Sequence, residues 1–149
     1  MKTIFDNEAR QELLGRLNKL TAESRPLWGK MSPAQMVKHL RLWEEMIHEN
    51  ILYSRPLIGR LIGPLILKKV LQTPEFRRNS PTIPQMLVTD TGIDLDGERS
   101  RLIALLNSYP QYNLPDYSFI HPFFGKMTRG QIGIMAHLHL DHHLKQFGV

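Results

Sequence analysis

Two stretches of this chain open helices in nearly the same way. Trp28-Gly29-Lys30-Met31-Ser32-Pro33-Ala34-Gln35 aligns with Phe124-Gly125-Lys126-Met127-Thr128-Arg129-Gly130-Gln131 at a constant offset of 96 residues. In each, an aromatic residue and Gly-Lys-Met lead into a hydroxyl residue followed three positions later by glutamine. That spacing is a capping box, in which the hydroxyl accepts from the third helical N–H and the glutamine reaches back to the cap N–H. Pro33 at the first helical position strengthens the first of the two. The starts and phases of two helices are thereby set, one running from Ser32 to about Asn50 and the other from Thr128 into the histidine-rich end. Matching entries imply equivalent structural starting points.

The rest of the chain supplies further elements. Residues from about Asn7 to Leu20, with Asp6 as N-cap, carry a stripe of Leu13, Leu14, Leu17 and Leu20. Asp94-Leu95-Asp96-Gly97-Glu98 opens another helix, acidic at its positive end, with Leu102, Leu105, Leu106 and Tyr109 on one face and Pro110 after it. Between them, Pro56 to Leu71 is apolar but punctuated by Gly59, Gly63 and Pro64 and interrupted by Arg60. It is too short and too broken to span a membrane. It reads as a short, kinked helical crossover packed along the bundle, with a peripheral membrane contact as the weaker alternative. Thr73-Pro74 and Asn79 to Pro84 form a proline-rich loop. At 149 residues the chain fits one domain, residues 1–149.

Four of the seven histidines fall between Ala136 and Gln146. His139 and His143, four apart, rise from one helix face; His142 sits at its edge, and His137 points the other way, beside Asp141. A pair needs at least one more ligand. His39 lies seven residues after its cap, and His139 and His143 lie eleven and fifteen after theirs, so all three share similar rotational phase. His39 emerges among Met36, Trp43 and Met46, whereas His48 projects about 180° away and is expected in solvent. The competing reading makes these imidazoles ordinary core residues bonded to backbone carbonyls, or favourable partners of a helix C-terminus. With no cysteine in the chain, any metal is held by nitrogen and oxygen.

The Trp28 to Leu40 block, the His121-Pro-Phe-Phe-Gly-Lys-Met-Thr block and the closing His139-Leu-Asp-His-His-Leu-Lys-Gln-Phe-Gly run resemble a bacterial family of unknown function in the DinB/YfiT-like superfamily. The resemblance implies an all-α four-helix bundle with a long connection between the second and third helices, commonly as a homodimer. It also implies a divalent metal, nickel or zinc, held by His39, His139 and His143. It further implies metal-dependent transfer of a low-molecular-weight thiol, or hydrolysis.

Three neutral imidazoles and an open position are the ligand set of a catalytic site. The expected function is therefore a metal-dependent enzyme acting on a small molecule, either a small-thiol S-transferase or a hydrolase. The alternative is a non-catalytic bundle with a structural, sensing or vacant histidine site. His121 and His142 are candidates for supporting or proton-transfer roles, with His121 as a turn cap and His142 as a solvated side chain the plainer readings. No residue stands out as a separate general base. The net charge of +5 is scattered, with only Lys68-Lys69 and Arg77-Arg78 adjacent, so no nucleic-acid partner is expected. No membrane partner is expected either. The start MKTIFDNEARQELL turns acidic within six residues, unlike a signal peptide, and makes a cytoplasmic location the expectation.

Overall fold

Both capping boxes form. In the computed structural model, which describes residues 1–73 and 75–149, the Ser32 side chain accepts from Gln35 N while Gln35 Oε1 accepts from Ser32 N. Thr128 and Gln131 repeat the exchange. Gly29 and Gly125, three residues before each cap, both adopt left-handed backbone, with φ of 79° and 89°, which only glycine takes without a steric penalty. Pro74, part of the expected proline-rich loop, lies outside the described residues.

The helices are α1 (Asn7–Leu17), α2 (Pro33–His48), α3 (Leu57–Val70), α4 (Leu95–Asn107) and α5 (Arg129–Gln146). Asp6 and Asp94 cap α1 and α4 through their side chains. α2 stops at His48, short of the expected Asn50, because Asn50 turns into left-handed backbone at φ 50° and Ile51 N returns to Met46 O. α2 packs chiefly on α4 and also on α5, and α1 lies against α5 and α4. Leu13, Leu17, Met36, Leu40, Met46, Leu102, Leu106, Leu140 and Leu144 fill the space between them. The buried Arg41 of α2 pairs with Glu98 of α4, closing the tightest of these contacts with charge.

The expectation of an all-α four-helix bundle is corrected by a small antiparallel sheet and a fifth helix, which make the architecture mixed, about 53% helical. Strand β1 (Phe119–His121) pairs with β2 (Gly125–Met127) in the register Phe119 to Met127, Ile120 to Lys126 and His121 to Gly125. Phe119, His121 and Met127 point inward and are buried. The pairing is held at its turn by the His121 ring, which accepts from two main-chain N–H groups. Strands of three residues are too short to show alternation in sequence.

The crossover expected to pack along the bundle forms as α3, and its chief contact is with β2. Only Gly59, Gly63 and Leu67 of its residues are buried. A Cβ at position 63 would lie 2.0 Å from Phe123 O, so glycine is required for the helix to seat on the hairpin turn.

A second polar group sits in the core. Glu44 of α2 is fully buried and accepts from the Tyr109 hydroxyl, while its Oε1 has no partner among the described residues. His48 stacks on Tyr109 and Tyr112 at 4.7 and 5.6 Å, half-buried rather than solvated as expected, because α2 turns that face onto the segment following α4. Burial pushes the Glu44 carboxyl up to about 8, with the Tyr109 hydrogen bond opposing. An unfolded glutamate titrates near 4.3, so between these values the folded state holds the extra proton and stability falls as pH rises. Glu44→Gln cannot ionise and is expected to remove that slope. Its unfolding free energy should gain on the parent by up to about 1.4 kcal/mol per pH unit within that window. Urea denaturation of both proteins at pH 5 and pH 8 measures the gain, and an equal difference at the two pH values would refute it.

Candidate metal centre

The three histidines that share helical phase meet between α2 and α5. His39 comes from the second turn of α2, and His139 and His143 from successive turns of α5. Their ring centroids stand 5.0, 4.9 and 4.9 Å apart, a nearly equilateral triangle, with ring planes 71° to 77° from one another. One ligand atom from each lies within 4.8 Å of the others, so this buried group could hold a metal ion. All three residues are at most 9% exposed.

The hydrogen bonds around the rings decide which nitrogens are free. His39 Nδ1 is 2.8 Å from Met86 O, and since a carbonyl only accepts, Nδ1 carries the proton. His143 Nδ1 is 2.9 Å from Gln146 Oε1, and Gln146 Nε2 donates to Trp28 O at 2.7 Å. The amide nitrogen is thereby committed to the carbonyl and the amide oxygen faces the ring, so His143 Nδ1 must donate. In the neutral rings the Nε2 atoms of His39 and His143 are left with lone pairs, the form in which imidazole binds metals. His139 Nε2 approaches His39 Nε2 at 3.0 Å, and its Nδ1 is buried without a partner. Without an ion, His139 Nε2–H is the donor across that contact.

Desolvation dominates the electrostatics. Burial holds His143 down to about 3, helped by the nearby His39 and opposed by Gln146. It holds His139 far below the usual histidine range, with His143 and His39 adding to the depression. His39 is lowered by the same burial against the pull of the Met86 carbonyl. All three are neutral at pH 7, the protonation state that ligation needs. Trp43, at 4.9 Å, and Phe76, at 6.1 Å, lie against the His139 ring and keep water from it.

The other histidines stand apart. His121 Nδ1 accepts from Phe123 N and Phe124 N, both at 3.1 Å, so its proton is on Nε2 and its role is to cap the hairpin turn. Burial drives it down to about 3, with the Arg55 charge adding. His142 is half-buried rather than freely solvated, packed against Trp28, Phe76 and His143 at the edge of a groove of about 220 Å³. His137 faces α1, near Glu12, Arg16 and Asp141. Sequence reasoning missed Gln146 and Met86. Gln146 lies three residues beyond His143 on the same helix face, a spacing that could have marked it. Met86 acts through a main-chain carbonyl, which every residue has.

Fold and site together define a mainly helical protein with a buried three-histidine group able to hold a metal ion. The chain belongs to the DUF1569 family, described as proteins of unknown function, whose family model matches residues 3–148. No curated protein and no solved structure matches it.

The turn-capping role of His121 predicts that His121→Ala strands two main-chain N–H groups. The expected cost is about 2 kcal/mol or more of stability. The bound-metal stoichiometry of the variant should equal that of the parent. Thermal melting and elemental analysis of the same preparation test both halves, and loss of metal from a folded variant would make His121 part of the centre.

Proposed function

We propose that this protein is a metal-dependent enzyme in which His39, His139 and His143 hold a divalent ion, nickel or zinc, beside a groove for a small-molecule substrate. The observation that carries this reading is the pair of hydrogen bonds from His39 Nδ1 to Met86 and from His143 Nδ1 to Gln146. Together they direct Nε2 lone pairs to the spot that His139 also faces. With both outer nitrogens so committed, the Nε2 lone pairs of His39 and His143 remain for a shared ion, and the three residues each offer a ligand atom within 4.8 Å of the others.

When bound, such an ion lowers the pKa of a coordinated water to about 7 or stabilises a thiolate, which is the chemistry of hydrolysis or thiol transfer. The residues of this chain position rather than react. The Met86 carbonyl and Gln146 hold the ring protons on the outer side, and Trp43 and Phe76 exclude bulk water. Trp28, Phe76 and His142 wall the adjoining groove, where Arg78 stacks on Trp28 at 4.2 Å. The reaction is transfer of a small thiol to an electrophile or hydrolysis of a small substrate. Because the chain has no cysteine, the thiol arrives as cosubstrate. Membership of the DinB/YfiT-like superfamily is part of the same proposal, supported by the helix-entry and closing histidine motifs.

The near-complete burial of the ligands favours a second reading, a structural ion without catalysis. A fall in melting temperature of tens of degrees on chelation supports the structural ion, and a small fall supports the open catalytic one.

Protein purified without a histidine tag is expected to carry about one nickel or zinc ion per chain. His39→Ala and His143→Ala should each lose most of it. Stoichiometric metal retained in both variants would end the assignment. Gln146→Ala removes the group that holds the His143 tautomer and is expected to weaken metal binding about 10- to 100-fold. Competition with a chromogenic chelator measures this, and an unchanged affinity would remove Gln146 from the centre.

A further inference from the structure

We infer that α3 is a docking surface for an anionic lipid bilayer, lying in the interface with its leucines in the acyl region. Leu57, Ile58, Leu61, Ile62, Leu65 and Ile66 are all exposed, the first, third and fifth by 76, 79 and 70%. They form one ridge because they recur at i, i+1, i+4, i+5, i+8 and i+9. The helix seats on the protein through the opposite, narrow face of Gly59, Gly63 and Leu67. Contiguous apolar area of this kind, on the order of 600 Å², stands at the top of the range for the largest patch of a monomer, where such patches are often interaction sites.

Charge identifies the occupant. Between Glu49 and Glu75 the chain has no acidic residue, while Arg55, Arg60, Lys68 and Lys69 fall within that run. Arg60, Lys68 and Lys69 are exposed and have no ion pair among the described residues. With Leu61 as reference, the apolar side chains span about −40° to +140° around the helix; Lys68 and Lys69, at about −20° and +80°, continue that arc at its C-terminal end, and Arg60 lies about 100° off on the flank without apolar side chains. Leucines outward with cations at the end and on one flank of the apolar face, their long side chains able to snorkel back to the phosphates, suits a helix lying in the interface. A cleft of about 370 Å³ adjoins the ridge, lined in part by Lys68, Lys126, Tyr117 and Gln72, with no carboxylate among its lining residues. It offers two ammonium groups to a lipid phosphate and an exposed tyrosine at headgroup depth.

A second copy of the chain fits this face less well. Antiparallel pairing about the middle of the ridge sets Lys68 of one copy at the positive N-terminal end of the other copy's helix, and parallel pairing sets Lys68 against Lys68. Neither arrangement brings a carboxylate of α3 to relieve the repulsion, since the helix has none. Among the described residues no helix is long and apolar enough to cross a membrane, so the contact is with one leaflet.

Flotation of the full chain with phosphatidylcholine vesicles and with 3:1 phosphatidylcholine–phosphatidylglycerol vesicles tests the inference. The expected result is binding to the anionic vesicles, at least tenfold weaker on the neutral ones and in high salt. Leu61→Asp combined with Leu65→Asp, at positions already in solvent, should lower partitioning at least tenfold with the melting temperature unchanged. Lys68→Gln and Lys69→Gln should each lower it about fivefold. Three results overturn the inference: no flotation of the parent protein with either vesicle, flotation indifferent to the leucine substitutions, or a dimer in sedimentation that Leu61→Asp dissociates without any vesicle binding.

Discussion

Removing three imidazoles from water between two helices is the constraint on which the site depends. An isolated buried ring that cannot bond costs a few kcal/mol, and three adjacent rings cannot all be charged. The fold meets part of this cost with neutral rings, two of which tie an outer nitrogen to oxygen, His39 to Met86 and His143 to Gln146, while His139 Nδ1 has no partner among the described residues. Gln146 is the centre of that arrangement. Its oxygen orients His143 and its nitrogen holds the Trp28 carbonyl, while Leu27 N donates to Gln146 O at 2.7 Å. One side chain and its own backbone therefore tie the segment that enters α2 to the last turn of α5. The distance between the two histidine-bearing helices and the tautomer of the His143 ring would otherwise be independent variables; here a single residue couples them.

The opposite face of α2 shows how the same helix handles a different buried polar group. Glu44, five residues after His39, points toward Tyr109 and the segment after α4 rather than toward α5. A carboxylate placed among the imidazoles would compete for their protons and raise their pKa values. On the Tyr109 side it is kept neutral by burial and stays apart from them. The two polar regions are thus separated by helix phase, since five residues amount to a rotation of about 140°.

Much of this was legible because it depended on local rules. The two capping boxes are sequence patterns with their own hydrogen bonds, and once they fix where α2 and α5 begin, the phases of His39, His139 and His143 follow from 3.6 residues per turn. What was not legible depended on approach between distant segments. Nothing in Phe119-Ile120-His121 announces a strand, because its pairing with Gly125-Lys126-Met127 rests on a ring acting as acceptor to the turn. The burial of His48 is illegible for a related reason: helix phase gives a direction, but the partners in that direction, Tyr109 and Tyr112, arrive from far along the chain. The seating of α3 is hidden in the same way: the face that fits is Gly59, Gly63 and Leu67, and its partner, the turn at Phe123, lies far along the chain.

The glycine face of α3 also connects parts of the molecule that lie far apart in the chain. Gly63 allows the helix within contact of the Phe123 carbonyl, and Phe123 N is one of the two donors to His121. Arg55, ahead of α3, donates to the Pro122 and Phe123 carbonyls and to Gly59 O. The hairpin turn is therefore held from inside by an imidazole and from outside by a guanidinium and a helix backbone, and it leads through β2 directly into the Thr128 cap of α5. The small sheet that departs from an all-helical plan thus fixes two things at once: how α3 presents its apolar ridge, and where α5 starts its count toward His139 and His143.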